Sequence, residues 1–390
     1  MRQFIDGLQT GTGPFDFDTV INRRDTGCEK WERYAGKDVI PMWVADMDFT
    51  APPAVLEVLQ RQVAHGVLGY PVPVPELTEE VVAMLQRRFA WTVRPEWIVW
   101  LPGLVCGLNL ACQAYTEPGE CVATFTPVYP PFLSAPKYQN RKRIDVPLQY
   151  NGQAWRANVQ AFDQALTDEC RLLLLCHPQN PTGRDFTASE LREIAEVCHK
   201  KDMVICSDEI HCDLLLTQRE HVPTAGISEK IADRTVTLMA PSKTYNIPGL
   251  GCSFAIVSNA RLRQRLKQTK RGIVPHVNAL GLTAALAAYR HGEPWRRQLC
   301  AYLAENARLV HEFVQQQLPG CWMSPVEATY LAWINIEALN LDNPEVFFEQ
   351  AGVGLMDGKH FGFPGFVRLN FGCPRSLLQE GLDRVTQAIS

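Results

Sequence analysis

With 390 residues, 38 Lys plus Arg against 42 Asp plus Glu and a formal net charge of -4, the chain is long enough for two or three lobes and has no basic field for nucleic acid or anionic lipid. No run approaches the roughly 20 apolar residues of a membrane span, and the first residues, Met1-Arg2-Gln3-Phe4-Ile5-Asp6-Gly7, lack the apolar stretch of a signal peptide. Thirteen cysteines without a Cys-x-x-Cys pair read as buried reduced thiols, so a cytoplasmic chain with a small-molecule partner is expected.

In chain order, the first 45 or so residues hold no long periodic element and are expected to pack across both lobes. From about residue 97 to 290, short apolar runs alternate with amphipathic stretches of helix length, the pattern of a wound sheet with helices on both faces. Pro102-Gly103-Leu104-Val105 leads into a helix predicted over 106–115, so Gly103, Leu104 and Val105 can offer backbone amides to a phosphate at a helix N-terminus. Tyr129 follows a strand predicted over 121–125; its ring either stacks on a cofactor or is an ordinary core tyrosine. Further strands are predicted over 172–176, 203–207, 235–239 and 253–257, and a helix over 188–201 with Thr187 as its cap and Leu191, Ile194, Ala195 and Cys198 along one stripe. After Pro294 the order becomes α+β: a helix over 295–317, a strand over 329–336, a helix over 344–351, a strand over 366–371 and a last helix from Ser376. The expected organisation is an N-terminal segment, 1–47, packing with a small domain at 291–390, and a large domain at 48–290 with a mixed, mostly parallel sheet.

Three segments carry the chemistry. Asn180-Pro181-Thr182-Gly183 is a turn, Asp208 ends an apolar strand, and Lys243 follows another strand and is flanked by Ser242, Thr244 and Asn246 with few charges nearby. An amine whose pKa is depressed by burial, joined by an acid for a pyridine nitrogen, suits pyridoxal 5'-phosphate. Lys243 is the expected Schiff-base and proton-transfer residue and Asp208 the acid, while Asn180 can donate to the ring's phenolic oxygen. His211 could reach that same oxygen or support Asp208. Arg368 lies in an otherwise apolar strand and either forks to a substrate α-carboxylate or sits in a buried structural ion pair.

Asn180-Pro181-x-Gly183, Asp208-x-x-His211, Ser242-Lys243 and Arg368, in this order, resemble the fold type I pyridoxal-phosphate enzymes of the aspartate aminotransferase superfamily. Asp46-Met47-Asp48-Phe49, His65-Gly66-Val67-x-Gly69-Tyr70, Lys243-x-x-Asn246-Ile247-Pro248, Thr329-Tyr330-Leu331-Ala332-Trp333 and Arg368-Leu369-Asn370-x-Gly372-Cys373-Pro374-Arg375 narrow the resemblance to the MalY/PatB-type carbon–sulfur lyases, from about residue 15 to the end. The resemblance implies a homodimer with shared active sites in which Tyr70 reaches the neighbouring subunit's cofactor phosphate, Arg368 takes the substrate carboxylate and Tyr129 stacks on the ring. Gly251 stands where many aminotransferases carry a phosphate-binding arginine, which leans toward the lyases. Ala240 stands where many relatives have a phosphate-binding Ser or Thr, shifting the expected grip to Ser242, Tyr70 and the amides near Gly103. The expected activity is β-elimination from cystathionine or a related cysteine S-conjugate to a thiol, pyruvate and ammonia. An aminotransferase is the alternative, and a regulatory or interaction protein retaining the cofactor is a further one. Around Tyr70-Pro71-Val72-Pro73 the chain lacks the polar and aromatic residues associated with the cystathionine cleavers, so the natural substrate is left open.

Overall fold

The structure, a computed structural model, describes residues 1–389. Seven strands form the central sheet in the order Ile98–Leu101, Ser253–Ile256, Thr235–Met239, Val204–Asp208, Cys170–Cys176, Cys121–Thr126 and Lys142–Pro147. Ser253–Ile256 runs antiparallel to both of its neighbours, and the remaining pairings are parallel. The strand Cys170–Cys176 shows why both faces must be covered. Leu172 and Leu174 point into a core with Leu104, Leu108 and Cys112 of the helix Leu104–Tyr115, whereas Leu173 and Leu175 pack with Leu191, Ile194 and Cys198 of the helix Ala188–Lys200. That is the period-2 alternation of a strand buried on two sides. Thr187 caps its helix in a reciprocal capping box with Glu190.

A second, four-stranded antiparallel sheet has the order Trp322–Met323, Leu331–Asn335, Phe366–Asn370 and Met356–Asp357, with Trp333 opposite Arg368. The helices Glu293–Gln317, Pro344–Gln350 and Arg375–Ile389 accompany it in sequence. Ile40–Pro41 pairs in parallel with Val353–Gly354, which ties the N-terminal segment to this part of the chain. Element ends differ from the sequence reading where local geometry intervenes. The helix starts at Leu104 rather than Cys106, directly after an extended Gly103. The strand begins at Leu331 rather than Thr329 because Thr329 has φ +78°, a backbone region that β-branched residues rarely enter. Among the described residues no helix is long and apolar enough to cross a membrane, and all thirteen cysteines are unpaired, most of them buried.

Candidate active site

The parallel strands end on one edge of the sheet, and the segments that follow them converge there. Gly103 comes after Leu101, Tyr129 after Thr126, Asn180 after Cys176, Asp208 closes its own strand, and Ser242 and Lys243 come after Met239. Together with Leu104, Val105 and His211 they line one cavity of about 240 Å³. The backbone amides of the first turn of Leu104–Tyr115 have no partner within the helix and open on this side.

Lys243 Nζ donates to the Ala45 carbonyl at 2.5 Å. Desolvation lowers its pKa to about 8, against Asp46 and Asp208, which favour the charged form, and with Arg368, which disfavours it. The expectation of few charges around Lys243 is therefore corrected. The strand ends and the N-terminal segment bring in three groups that are remote in sequence. Desolvation raises Asp208 to about 7, against a hydrogen bond from the Ile210 amide at 3.1 Å and the nearby Lys243. His211 is buried, its Nδ1 has no partner, and burial lowers its pKa to about 3. The hydrogen bond that Asp208 accepts comes from the Ile210 amide and not from His211.

Arg368 does not itself line the cavity but is buried against Asn180, which does. Its Nη1 donates to Asn180 Oδ1 at 3.0 Å and its Nη2 to the Trp43 carbonyl at 2.6 Å, while the guanidinium lies 4.8 Å from the Phe361 ring centre. Among the described residues it has no ion-pair partner, its Nε is unbonded, and desolvation lowers its pKa to about 10. The Arg368 bond occupies Asn180 Oδ1 and leaves the Nδ2 donor without a partner among the described residues. Tyr70 is not brought to this cavity. It is fully exposed beside Val67, Leu68 and Val72, themselves exposed, on the segment between two helices.

Sequence reasoning missed a strap, residues 43–49, that covers the site with hardly any regular structure of its own. Six of its seven backbone carbonyls nevertheless accept from side chains. Arg368 bonds Trp43, Asn370 bonds Val44 and Asp46, and Lys243 and Tyr330 share Ala45. Asn246 holds both Met47 and Phe49 and accepts the Met47 amide. Below it, Lys30 and Arg23 pair with the buried Asp48. The motif residues Asp46, Asn246, Tyr330 and Asn370 signalled this strap in the sequence without disclosing a role.

The cavity presents an amine with a depressed pKa, a buried acid without a hydrogen-bonded cation, an unbonded amide donor and helix amides. That combination matches what pyridoxal phosphate requires of a site. A larger open cleft of about 550 Å³, lined by Arg88, Asp213, Glu293 and Arg296 among others, has its inner charges already matched. Arg88 pairs with Asp213 and Glu293, each at 2.6 Å, and Arg296 pairs with Glu293 at 2.8 Å.

The family model for class I and II aminotransferases matches residues 37–385. Cystathionine beta-lyase PatB of Bacillus subtilis (strain 168) is 36% identical over 386 residues, which is 96% of this chain and 100% of its own. The crystal structure of OvoB superposes with a TM-score of 0.94 at 41% identity, over 96% of this chain and 99% of that one. Cystalysin from Treponema denticola, whose crystal structure contains a pyridoxal 5'-phosphate cofactor, gives 0.93 at 34% identity over 96% and 99%.

Proposed function

Because the chain belongs to the class I and II aminotransferase family, we propose that it is a pyridoxal 5'-phosphate-dependent carbon–sulfur β-lyase, which cleaves cystathionine or a related cysteine S-conjugate to a thiol, pyruvate and ammonia. The observation that carries this reading is the meeting in one site of Lys243, Asp208 and a buried Arg368 with no acid partner among the described residues. The near full-length match to a cystathionine beta-lyase favours elimination over transamination, as does Gly251 at φ +54°, where the Cβ of an arginine would be strained and would lie 3.1 Å from the Pro102 carbonyl oxygen.

When bound, pyridoxal phosphate supplies an aldehyde for the substrate amine and an electron-poor ring that stabilises the charge left on Cα. Lys243 Nζ, with its pKa near 8, is the base that accepts the Cα proton. Asp208 stays anionic against a cationic ring nitrogen, which offsets the desolvation that raises it in the free site. With the cofactor bound, Asn180 Nδ2 would donate to the ring's oxygen, Tyr129 would supply the stacking surface and His211 a polar edge. Ser242 and the amides of Gly103, Leu104 and Val105 take the phosphate. Arg368 forks to the substrate α-carboxylate, which supplies the anion its burial lacks. The strap at 43–49 holds Lys243 Nζ in place through the Ala45 carbonyl.

The enzyme is read as a homodimer in which Tyr70 reaches the cofactor phosphate of a second subunit. The exposed Val67, Leu68, Tyr70 and Val72 support that, since contiguous apolar side chains on a surface mark an interaction site. Thirteen unpaired cysteines suit a cytoplasmic location. The purified protein mixed with L-cystathionine, without any keto acid, should release pyruvate and free thiol in equal amounts. Absence of pyruvate together with amino transfer to an added keto acid would overturn the lyase reading in favour of an aminotransferase.

A further inference from the structure

Directly behind the cavity lies a buried polar cluster with no role in the chemistry above. His177, Asp185, Glu209 and His221 are all buried. His221 Nδ1 lies 2.8 Å from Asp185 Oδ1, and its Nε2 lies 3.0 Å from Glu209 Oε2. Two ionised carboxylates are both acceptors, and a neutral imidazole has one N–H. The ring can satisfy both only as an imidazolium. Desolvation opposes that charge, but the two carboxylates raise His221 to about 9, and both acids are held below their ordinary range. His177 lies against His221 with ring centres 4.4 Å apart and ring planes tilted by 31°, and burial and the neighbouring cation lower its pKa. The second oxygen of Glu209 accepts from Ser207 Oγ at 2.7 Å and the Thr224 amide at 3.0 Å, so the arrangement at that end is complete.

The position of the two carboxylates in the chain gives the cluster its meaning. Asp185 follows the turn that carries Asn180, a turn closed by Gly183 N to Gln179 O at 2.9 Å and Gln179 N to Arg184 O at 2.7 Å. Glu209 directly follows Asp208, and its own amide is fixed to Leu238 O at 2.8 Å. We propose that His221 is a positioning residue, a charged staple that joins the Asn180 turn to the Asp208 strand end and so fixes the spacing of the two side chains that hold the cofactor ring. His177, Asp185 and His221 also form a group with the donor types of a metal site. Both His221 nitrogens already face carboxylates, however, so the ring has no free lone pair to give a metal.

The inference rests on the cofactor site of the preceding section, and its test keeps the two apart. Ligand-free parent and His221→Gln protein are titrated with pyridoxal phosphate, and the visible absorbance of each loaded protein is followed against pH. Failure of the parent itself to bind would sink the site reading. If the parent binds, H221Q is expected to bind about tenfold or more weakly and to titrate at a shifted midpoint. A control variant at a core position remote from the cluster, Val314→Ala, should lose thermal stability without either change. Affinity and midpoint equal to the parent's would overturn the staple, and so would stoichiometric zinc or iron in the parent that H221Q lacks. If H221Q does not fold, Asp185→Asn, which keeps an acceptor but loses the charge, is held to the same two readouts with the same outcomes.

Discussion

Replacing Arg368 by Met separates what this side chain does for binding from what it does for folding. Desolvation draws its pKa from the ordinary 12.5 to about 10, and at 1.36 kcal/mol per tenfold this is roughly 3 kcal/mol against the buried charge. Methionine fills much of the same volume but leaves the Asn180 and Trp43 oxygens without their donor, at about 1 kcal/mol each. The ligand-free variant should therefore match or exceed the parent by about 1 kcal/mol. With an unfolding entropy of roughly 2.1 cal/mol/K per residue, that is about 1 °C in Tm for a chain of this length. Turnover should behave differently. Loss of two charge-assisted bonds to the substrate carboxylate, about 3–4 kcal/mol together, corresponds to roughly 10²- to 10³-fold in kcat/KM, carried mainly by KM. Arg368→Lys keeps the charge without the fork and should recover less than about tenfold of that loss. Thermal melting of the ligand-free proteins and pyruvate release from L-cystathionine are the assays. A Tm lowered by about 5 °C or more would make Arg368 a structural post, and an unchanged KM would remove it from carboxylate binding.

Lys243→Ala should reduce pyruvate release by at least about 10³-fold; in the parent, the rate of pyridoxal phosphate capture should rise about tenfold per pH unit up to a plateau near 8, where the amine becomes neutral, and a flat profile would contradict that pKa. Gly183 has φ +69°, and a Cβ there would lie 2.8 Å from Val326 Cγ1, so Gly183→Ala should cost about 1–3 kcal/mol in stability and weaken cofactor binding through Asn180; equal Tm and affinity would refute this. Asn246→Ala removes three hydrogen bonds to the strap, about 2–3 kcal/mol in all, and hydrogen exchange at 43–49 should quicken while exchange in the strand Thr235–Met239 stays slow. The folded-state pKa of His221 is raised from 6.5 to about 9 between Asp185 and Glu209, beside a neutral His177 and with Arg219 acting on Asp185. Its contribution to stability is therefore complete below about 6.5 and lost as pH rises through about 9. The Tm difference between parent and H221Q should narrow across that window, and a constant difference would refute the charged bridge.

The sequence by itself determined whatever rests on local signals. Apolar runs of strand length placed five of the seven strands of the central sheet to within two residues at their ends. Thr187 with Glu190 announced a helix start that the structure matches with a full capping box. Lys243, Asp208 and Asn180, each just beyond or at a strand end, were legible as a set because the carboxyl edge of a parallel sheet brings such positions together. Tertiary structure alone decided the rest. The antiparallel setting of Ser253–Ile256 cannot be read from its composition, because a strand buried on both faces carries no mark of direction. The strap at 43–49 has no periodicity, and its partners Lys243, Asn246, Arg368 and Asn370 lie hundreds of residues away in sequence. The imidazolium of His221 depends on two carboxylates from different loops meeting out of water. Charge states of that kind are set by burial and distance, quantities that exist only once the chain has folded.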